Sequence, residues 1–269
     1  MTRPLLSAVT AFVAATALLA GCGASAGAGA ATSAGSASAS GTAPTRAGEI
    51  TVFAAASLTD SFTTLSKQFE AAHPGATVTV SFGPSSGLAT QIVQGAPADV
   101  FASASSTNMD RVVAAHAADS PAVFATNVME IVVPPSNPAT VTALADLAKA
   151  DVKVALCQPE VPCGAVAAKV FSAAGLTVTP VTLEADVKAT LTKVELGEVD
   201  AGVVYVTDVL AAGDKVTGIE IPADVNAATS YPIATLTASR HRDLAQAFVD
   251  YVLSADGATV LTAAGFQRP

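Results

Sequence analysis

The chain has 269 residues, 51% of them hydrophobic, with no tryptophan and a formal net charge of −9. Such acidity leaves nothing to neutralise a run of phosphates and argues against nucleic-acid binding. It does not argue against a small anion, because hydrogen-bond donors and dipoles in a local pocket hold one whatever the net charge.

The opening stretch, MTRPLLSAVTAFVAATALLAGC, puts Arg3 ahead of an uncharged apolar run. The run is short and wrongly flanked for a membrane span, so residues 1–21 read as an export signal. Its end, Leu19-Ala20-Gly21-Cys22, resembles the lipobox of bacterial lipoproteins. That resemblance implies cleavage before Cys22 and a lipid on Cys22, which anchors an extracytoplasmic protein to the plasma membrane. Residues 22–47 are mostly Gly, Ala, Ser and Thr, with no large apolar side chain. This is the composition of a flexible tether, with a reach of about 25–30 Å.

The remaining part, roughly 220 residues, suffices for one large or two small domains with a substantial core. ITVFAAA (50–56) reads as a strand, and the segment after it puts Leu58, Phe62, Leu65 and Phe69 on one helical face. ATVTVSF (76–82) alternates as a strand, and SGLATQIVQG follows as a helix. Further strands are read at 98–104, 128–134, 152–156, 176–183 and 201–206, and the tail sets Leu244, Phe248 and Val252 at helical spacing. The alternation predicts an α/β fold with mainly parallel sheets and no repeat architecture. Around 120–127 and again around 226–236 the helical pattern stops and a strand begins. A chain that leaves one domain, builds a second and returns explains both breaks.

In open α/β sheets ligands bind outside the carboxyl ends of the strands, where helix N-termini point. Four junctions of this kind carry polar or glycine signals: Ser57-Leu58-Thr59-Asp60, Gly83-Pro84-Ser85-Ser86, Cys163-Gly164 and Glu184-Ala185-Asp186-Val187. Each is explicable as a capped helix, with Ser or Asp accepting an orphan N–H for about 1 kcal/mol. Together they also offer free N–H groups and two Ser hydroxyls to a small anion, held by helix dipoles. The motifs contain no Arg or Lys that must point inward. FGPSSGL also contains G-x-S-x-G, so Ser85 has a reading as a hydrolase nucleophile. Against it, His116 and His241 lie in polar helical stretches, no HGGG-type loop precedes the motif, and Pro84 removes a backbone donor. In an oxidising compartment Cys157 and Cys163 favour a disulfide over a metal site, since ligands at zinc spacing are lacking. Tyr205, in GVVYVTD, reads as a strand tyrosine whose hydroxyl is satisfied locally.

Six blocks stand in order from Ile50 to Phe266: ITVFAAASLTD, SFGPSSGLATQIVQGAPADVFASAS, VPCG, EADVKATLTKVELGEVDAGVVYVTD, YPIATL and AFVDYVLSADGATVLTAAGF. With these blocks the chain resembles the periplasmic molybdate-binding proteins of ABC importers. The resemblance implies a type II periplasmic binding protein fold, two α/β lobes joined by two crossover strands. Lobe 1 is then 48–125 plus 231–269, and lobe 2 is 126–230. It also implies a monomeric, non-enzymatic role without a cofactor: capture of molybdate, and tungstate with it, in the interlobe cleft and delivery to an ABC permease. Molybdenum enters only as molybdate. Carried over by position, Ser57 and Ser85 supply hydroxyl and backbone donors from lobe 1. Cys163 and Val187 supply backbone donors from lobe 2, and Tyr205 supplies its phenolic hydroxyl. The family often has Ala where Cys163 stands, a change that a backbone contact tolerates, and the Cys157–Cys163 pair becomes a local staple on that loop.

Molybdate, tungstate and sulfate are fully deprotonated dianions at neutral pH and need donors only. Phosphate keeps a proton and favours an acceptor; the nearest, Asp60 and Asp186, are explicable as cap or dipole partners. An amino-acid ligand wants an Arg for its carboxylate. Three scattered His do not make a metal-ion site. The alternative readings are the same fold serving sulfate, thiosulfate or phosphate, and behind it the Ser85 hydrolase.

Overall fold

The structure is a computed structural model and describes residues 47–269. The export signal, Cys22 and the tether up to residue 46 lie outside the described residues.

In the first lobe β1 (Gly48–Ala55) pairs in parallel with β2 (Ala76–Gly83) on one side and β3 (Val100–Ala102) on the other. α1 (Thr59–Ala72) follows β1, α2 (Ser85–Val93) follows β2, and α3 (Ser106–Ala114) follows β3. The face predicted for α1 is the one that packs: Leu58, Phe62, Leu65 and Phe69 are all fully buried. Their spacing makes a single apolar stripe at the helical period, which must be covered by another layer. The cover includes α7 (Arg242–Leu253), whose Leu244, Phe248 and Val252 are buried as their spacing predicts. Phe62 meets Phe124 and Phe248 at ring separations of 5.8 and 6.1 Å, and Phe69 meets Phe248 at 5.3 Å, edge to face. α8 (Ala255–Ala263) closes this lobe through Leu261.

In the second lobe β5 (Val154–Cys157) is central, with β6 (Thr182–Glu184) and β7 (Ala201–Tyr205) parallel on its two sides. α4 (Pro162–Ala173), α5 (Val187–Glu195) and α6 (Val206–Ala212) follow them in turn. Val154, Val166, Val170, Leu191, Val194 and Val203 belong to one buried cluster. The strand expected over 176–183 is much shorter. β6 is an edge strand, the segment before it is largely exposed, and Pro180 cannot donate to a ladder.

Two strands join the lobes. β4 (Ala122–Val133) pairs antiparallel with β9 (Ala228–Thr235) as far as Val128, and from Met129 onward with β7 and β8 (Thr217–Glu220). β9 in turn pairs antiparallel with β3. The path is therefore β2-β1-β3-β9-β4-β7-β5-β6, with β8 on β4. The expectation of mainly parallel sheets needs correction: pairing is parallel within each lobe and antiparallel wherever β4 or β9 takes part. A chain that crosses to a second lobe and returns lays its two crossings side by side in opposite directions, which is an antiparallel ladder.

Replacing Phe62 with Ala is expected to lower the unfolding free energy by about 3–5 kcal/mol. A urea melt reads this as a lower midpoint, and an unchanged midpoint would remove the aromatic cluster from the account of this lobe's stability.

Candidate functional site

The carboxyl ends of β1, β2, β5 and β7 each turn directly toward a helix, and those turns meet. Ser57, in a 3-10 turn (Ala56–Leu58) ahead of α1, and Ser85, first residue of α2, come from the first lobe. Cys163 in the first turn of α4, Val187 at the start of α5 and Tyr205 at the end of β7 come from the second. All five line one cavity, and all five are buried. On the first-lobe side the wall is mostly small, with Ala55, Ala56, Gly83 and Ala104, and on the other side Val161, Pro162 and Asp186 complete it. The centre of a water-sized sphere is free over about 20 Å³ inside. Adding the sphere's own radius of about 1.4 Å gives a ball about 3 Å in radius. That holds one tetrahedral oxyanion and is far too small for a sugar or an amino acid.

Two of the helices that start at the cavity, α2 and α4, carry no side-chain cap, whereas α5 does. α2 has Pro84 as its N-cap and α4 has Val161; neither side chain makes a capping hydrogen bond. First-turn N–H groups have no partner inside their helix. Those of Ser85 and Ser86, and of Cys163 and Gly164, therefore face the cavity end of their helices with the positive end of the dipole. Three other helices are capped by side chains: Ser105 accepts from Asn108, Ser254 from Gly257 and Asp186 from Ala189. Pro84 is extended at ψ 129°, and its missing N–H takes nothing from the donors that follow it.

The serines do not cap, contrary to the simplest expectation for them. Ser57 Oγ lies 3.0 Å from the Tyr231 hydroxyl, and Ser85 Oγ accepts the Ala104 N–H at 3.0 Å. Ser85 thus keeps its own O–H to donate. Asp186 is a true cap, its Oδ1 accepting the Ala189 N–H at 2.9 Å. Tyr205 also departs from expectation. Its hydroxyl is buried and has no hydrogen-bond partner among the described residues, instead of being satisfied locally. Leaving a buried hydroxyl unpaired costs about 1–3 kcal/mol. Burial, with Tyr231 and Asp208 nearby, pushes this phenol well above its ordinary range, so it stays a neutral donor.

Cys157 and Cys163 form a disulfide, Cα to Cα 5.8 Å, tying the end of β5 to the first turn of α4. Gly164 beside it has no alternative, because a Cβ there would overlap the carbonyl oxygen of Gln158. Among the described residues no histidine lines the cavity, so Ser85 has no such base beside it. No group of three His, Cys, Asp or Glu among them is arranged to hold a metal ion.

Lys188 is a residue the sequence reading missed. Nothing in its motif requires an inward cation, yet its ammonium is drawn to Asp208 Oδ1 at 3.4 Å and to Asp60 Oδ2 at 3.1 Å. The Asp208 side chain is completely buried, and its Oδ2 accepts the Tyr205 N–H at 3.2 Å. Burial is the stronger influence on Asp208 and lifts its pKa to about 6, while Lys188 pulls the other way. For Lys188 burial is again the largest influence and lowers its pKa, but Asp208 and Asp60 together outweigh it and the net shift is upward. The Tyr205-to-Asp208 spacing is an N-cap-to-N3 signal that points to this carboxylate. Nothing local points to Lys188 or Tyr231, because Asp60 is 128 residues from the one and Ser57 is 174 from the other.

A family model described as bacterial extracellular solute-binding protein matches residues 50–267. The molybdate-binding protein ModA of Mycobacterium tuberculosis is 43% identical over 228 residues, covering 84% of this chain and 87% of that one. ModA of Escherichia coli is 33% identical over 231 residues, covering 81% and 89%. Among solved structures, the periplasmic molybdate-binding protein of Azotobacter vinelandii superposes with a TM-score of 0.74 at 21% identity, covering 82% of this chain and 99% of that chain.

Asp208 gives the site a pH signature. Its ordinary pKa is 3.8 and its folded value about 6. Between those values the folded state keeps a proton that the unfolded chain has lost, so this carboxyl's contribution to stability falls as pH rises. The fall totals about 3 kcal/mol and is complete above the folded pKa. Asp208→Asn lacks this titration. The stability of wild type relative to the variant should therefore drop between pH 4 and 7 in urea melts, and a constant difference would contradict the assignment.

Proposed function

The chain belongs to the bacterial extracellular solute-binding proteins, in the family of the molybdate-binding protein ModA, and we propose that it captures molybdate between its two lobes. The observation that carries this reading is the unpaired, buried Tyr205 hydroxyl at a cavity of one-oxyanion size, beside the uncapped starts of α2 and α4. Ser57, Ser85, Cys163, Val187 and Tyr205 are the binding residues, all of them offering donors.

The lining favours a fully deprotonated dianion. Asp186, the carboxylate in the cavity wall, is committed as the cap of α5, and Asp60 and Asp208 are turned to Lys188. A protonated oxyanion such as phosphate would need an acceptor, and the one carboxylate in the wall already gives its Oδ1 to the cap of α5. Tungstate, of the same charge and nearly the same size, binds alongside molybdate. The lobes, 48–125 with 231–269 and 126–230, close on the ligand about β4 and β9, because only the closed arrangement brings both donor sets together. An ABC permease takes the anion from that closed form. A lipid on Cys22 and the tether hold the monomeric body near the membrane; among the described residues no helix is long and apolar enough to cross it.

A thermal-shift series with molybdate, tungstate, sulfate and phosphate tests the ligand class. A ligand at a hundred times its dissociation constant stabilises the fold by about 2.7 kcal/mol. Molybdate and tungstate should raise the melting temperature most, and no shift with any of the four anions would end the reading. Tyr205→Phe removes one donor to a charged partner and should weaken molybdate binding by about 1–3 kcal/mol, roughly 5- to 150-fold. Titration calorimetry that finds the affinity unchanged would take Tyr205 out of the site.

A further inference from the structure

We infer that Lys188 is a closure latch: anchored in the second lobe on buried Asp208, it reaches across the cleft to Asp60 of the first lobe and holds the lobes together. The inference rests on the oxyanion reading above and adds a residue pair that touches no ligand.

Position singles out the pair. Lys188 directly follows Val187 in the first turn of α5, and Asp60 stands in the first turn of α1, three residues after Ser57. One ion pair therefore sits beside a donor residue from each lobe. A cation in the first turn of a helix opposes the dipole and has to be compensated there. Asp208 supplies that compensation whether the lobes are open or closed, since the two lie in one lobe. Asp60 has a different standing. Its side chain is 64% exposed, and its carboxylate makes no other hydrogen bond or ion pair among the described residues. Asp60 loses little when the lobes part and water replaces the ammonium. The Asp208 pair is the anchor and the Asp60 pair is the part that forms on closing.

The sign of one substitution separates this latch from plain electrostatics. Removing a carboxylate near an anion site should leave anion binding unchanged or tighten it, whereas removing a latch weakens it. Asp60→Asn is expected to weaken molybdate binding by about two- to fivefold, the range for a partly exposed ion pair, mainly through faster release. The difference should shrink at high salt. The melting temperature of the ligand-free protein should not change, whereas a purely structural pair would lower it. Lys188→Met combined with Asp208→Asn removes the anchor without stranding a buried charge, and adding Asp60→Asn to that background should do nothing more.

Calorimetry and dissociation rates on these variants beside wild type decide the matter. Wild type that binds molybdate while Asp60→Asn binds equally or more tightly overturns the latch alone. Equal weakening by Asp60→Asn in the Lys188→Met/Asp208→Asn background overturns Lys188 as the partner. Wild type that binds no oxyanion overturns the ligand reading, and the latch with it.

Discussion

Two strands hold the site in register. β4 pairs with β9 through its first half and with β7 and β8 through its second, so it belongs to both lobes at once. Because β9 is also bonded to β3, the ends of β1 and β2 are placed opposite those of β5 and β7. The cavity is where those ends meet. The ends of β1 and β2 and the turn after β1 bring small residues, Ala55, Gly83 and Ala56, to its wall.

Binding a dianion with neutral donors has a particular electrostatic logic. A guanidinium would attract any anion, whereas N–H groups and hydroxyls in fixed directions are selective by geometry and add no charge that must itself be buried. The positive ends of α2 and α4 supply the field, and the absence of capping side chains there leaves their donors directed at the cavity. The cost falls on the unpaired Tyr205 hydroxyl and on Asp208, whose carboxylate orders the Tyr205 backbone from a fully buried position. Lys188 offsets the charge of that carboxylate.

Much of this could be read along the chain. The α1 and α7 faces followed from spacing alone, because a 3.6-residue period with large apolar side chains has one way to be buried. The four junctions followed from strand-then-helix order together with Ser, Gly and Asp at the turns. The local readings of three side chains did not hold. Serines beside helix starts read as caps, but Ser57 answers to Tyr231 and Ser85 to Ala104, and the Tyr205 hydroxyl has no partner among the described residues. The antiparallel crossings also escaped, since strand direction depends on where the chain returns.

By itself the sequence determined the alternating α/β order, the apolar faces, the disulfide-permissive pair Cys157 and Cys163, and which turns carry donors. These are local properties, set by side-chain period, turn chemistry and composition within a few residues. Only the tertiary structure decided that five such residues line one cavity of oxyanion size, that the Tyr205 hydroxyl is left unpaired there, and that Lys188 lies between carboxylates from two lobes. Distances across a cleft depend on how β4 and β9 set one lobe against the other, and no local pattern encodes that.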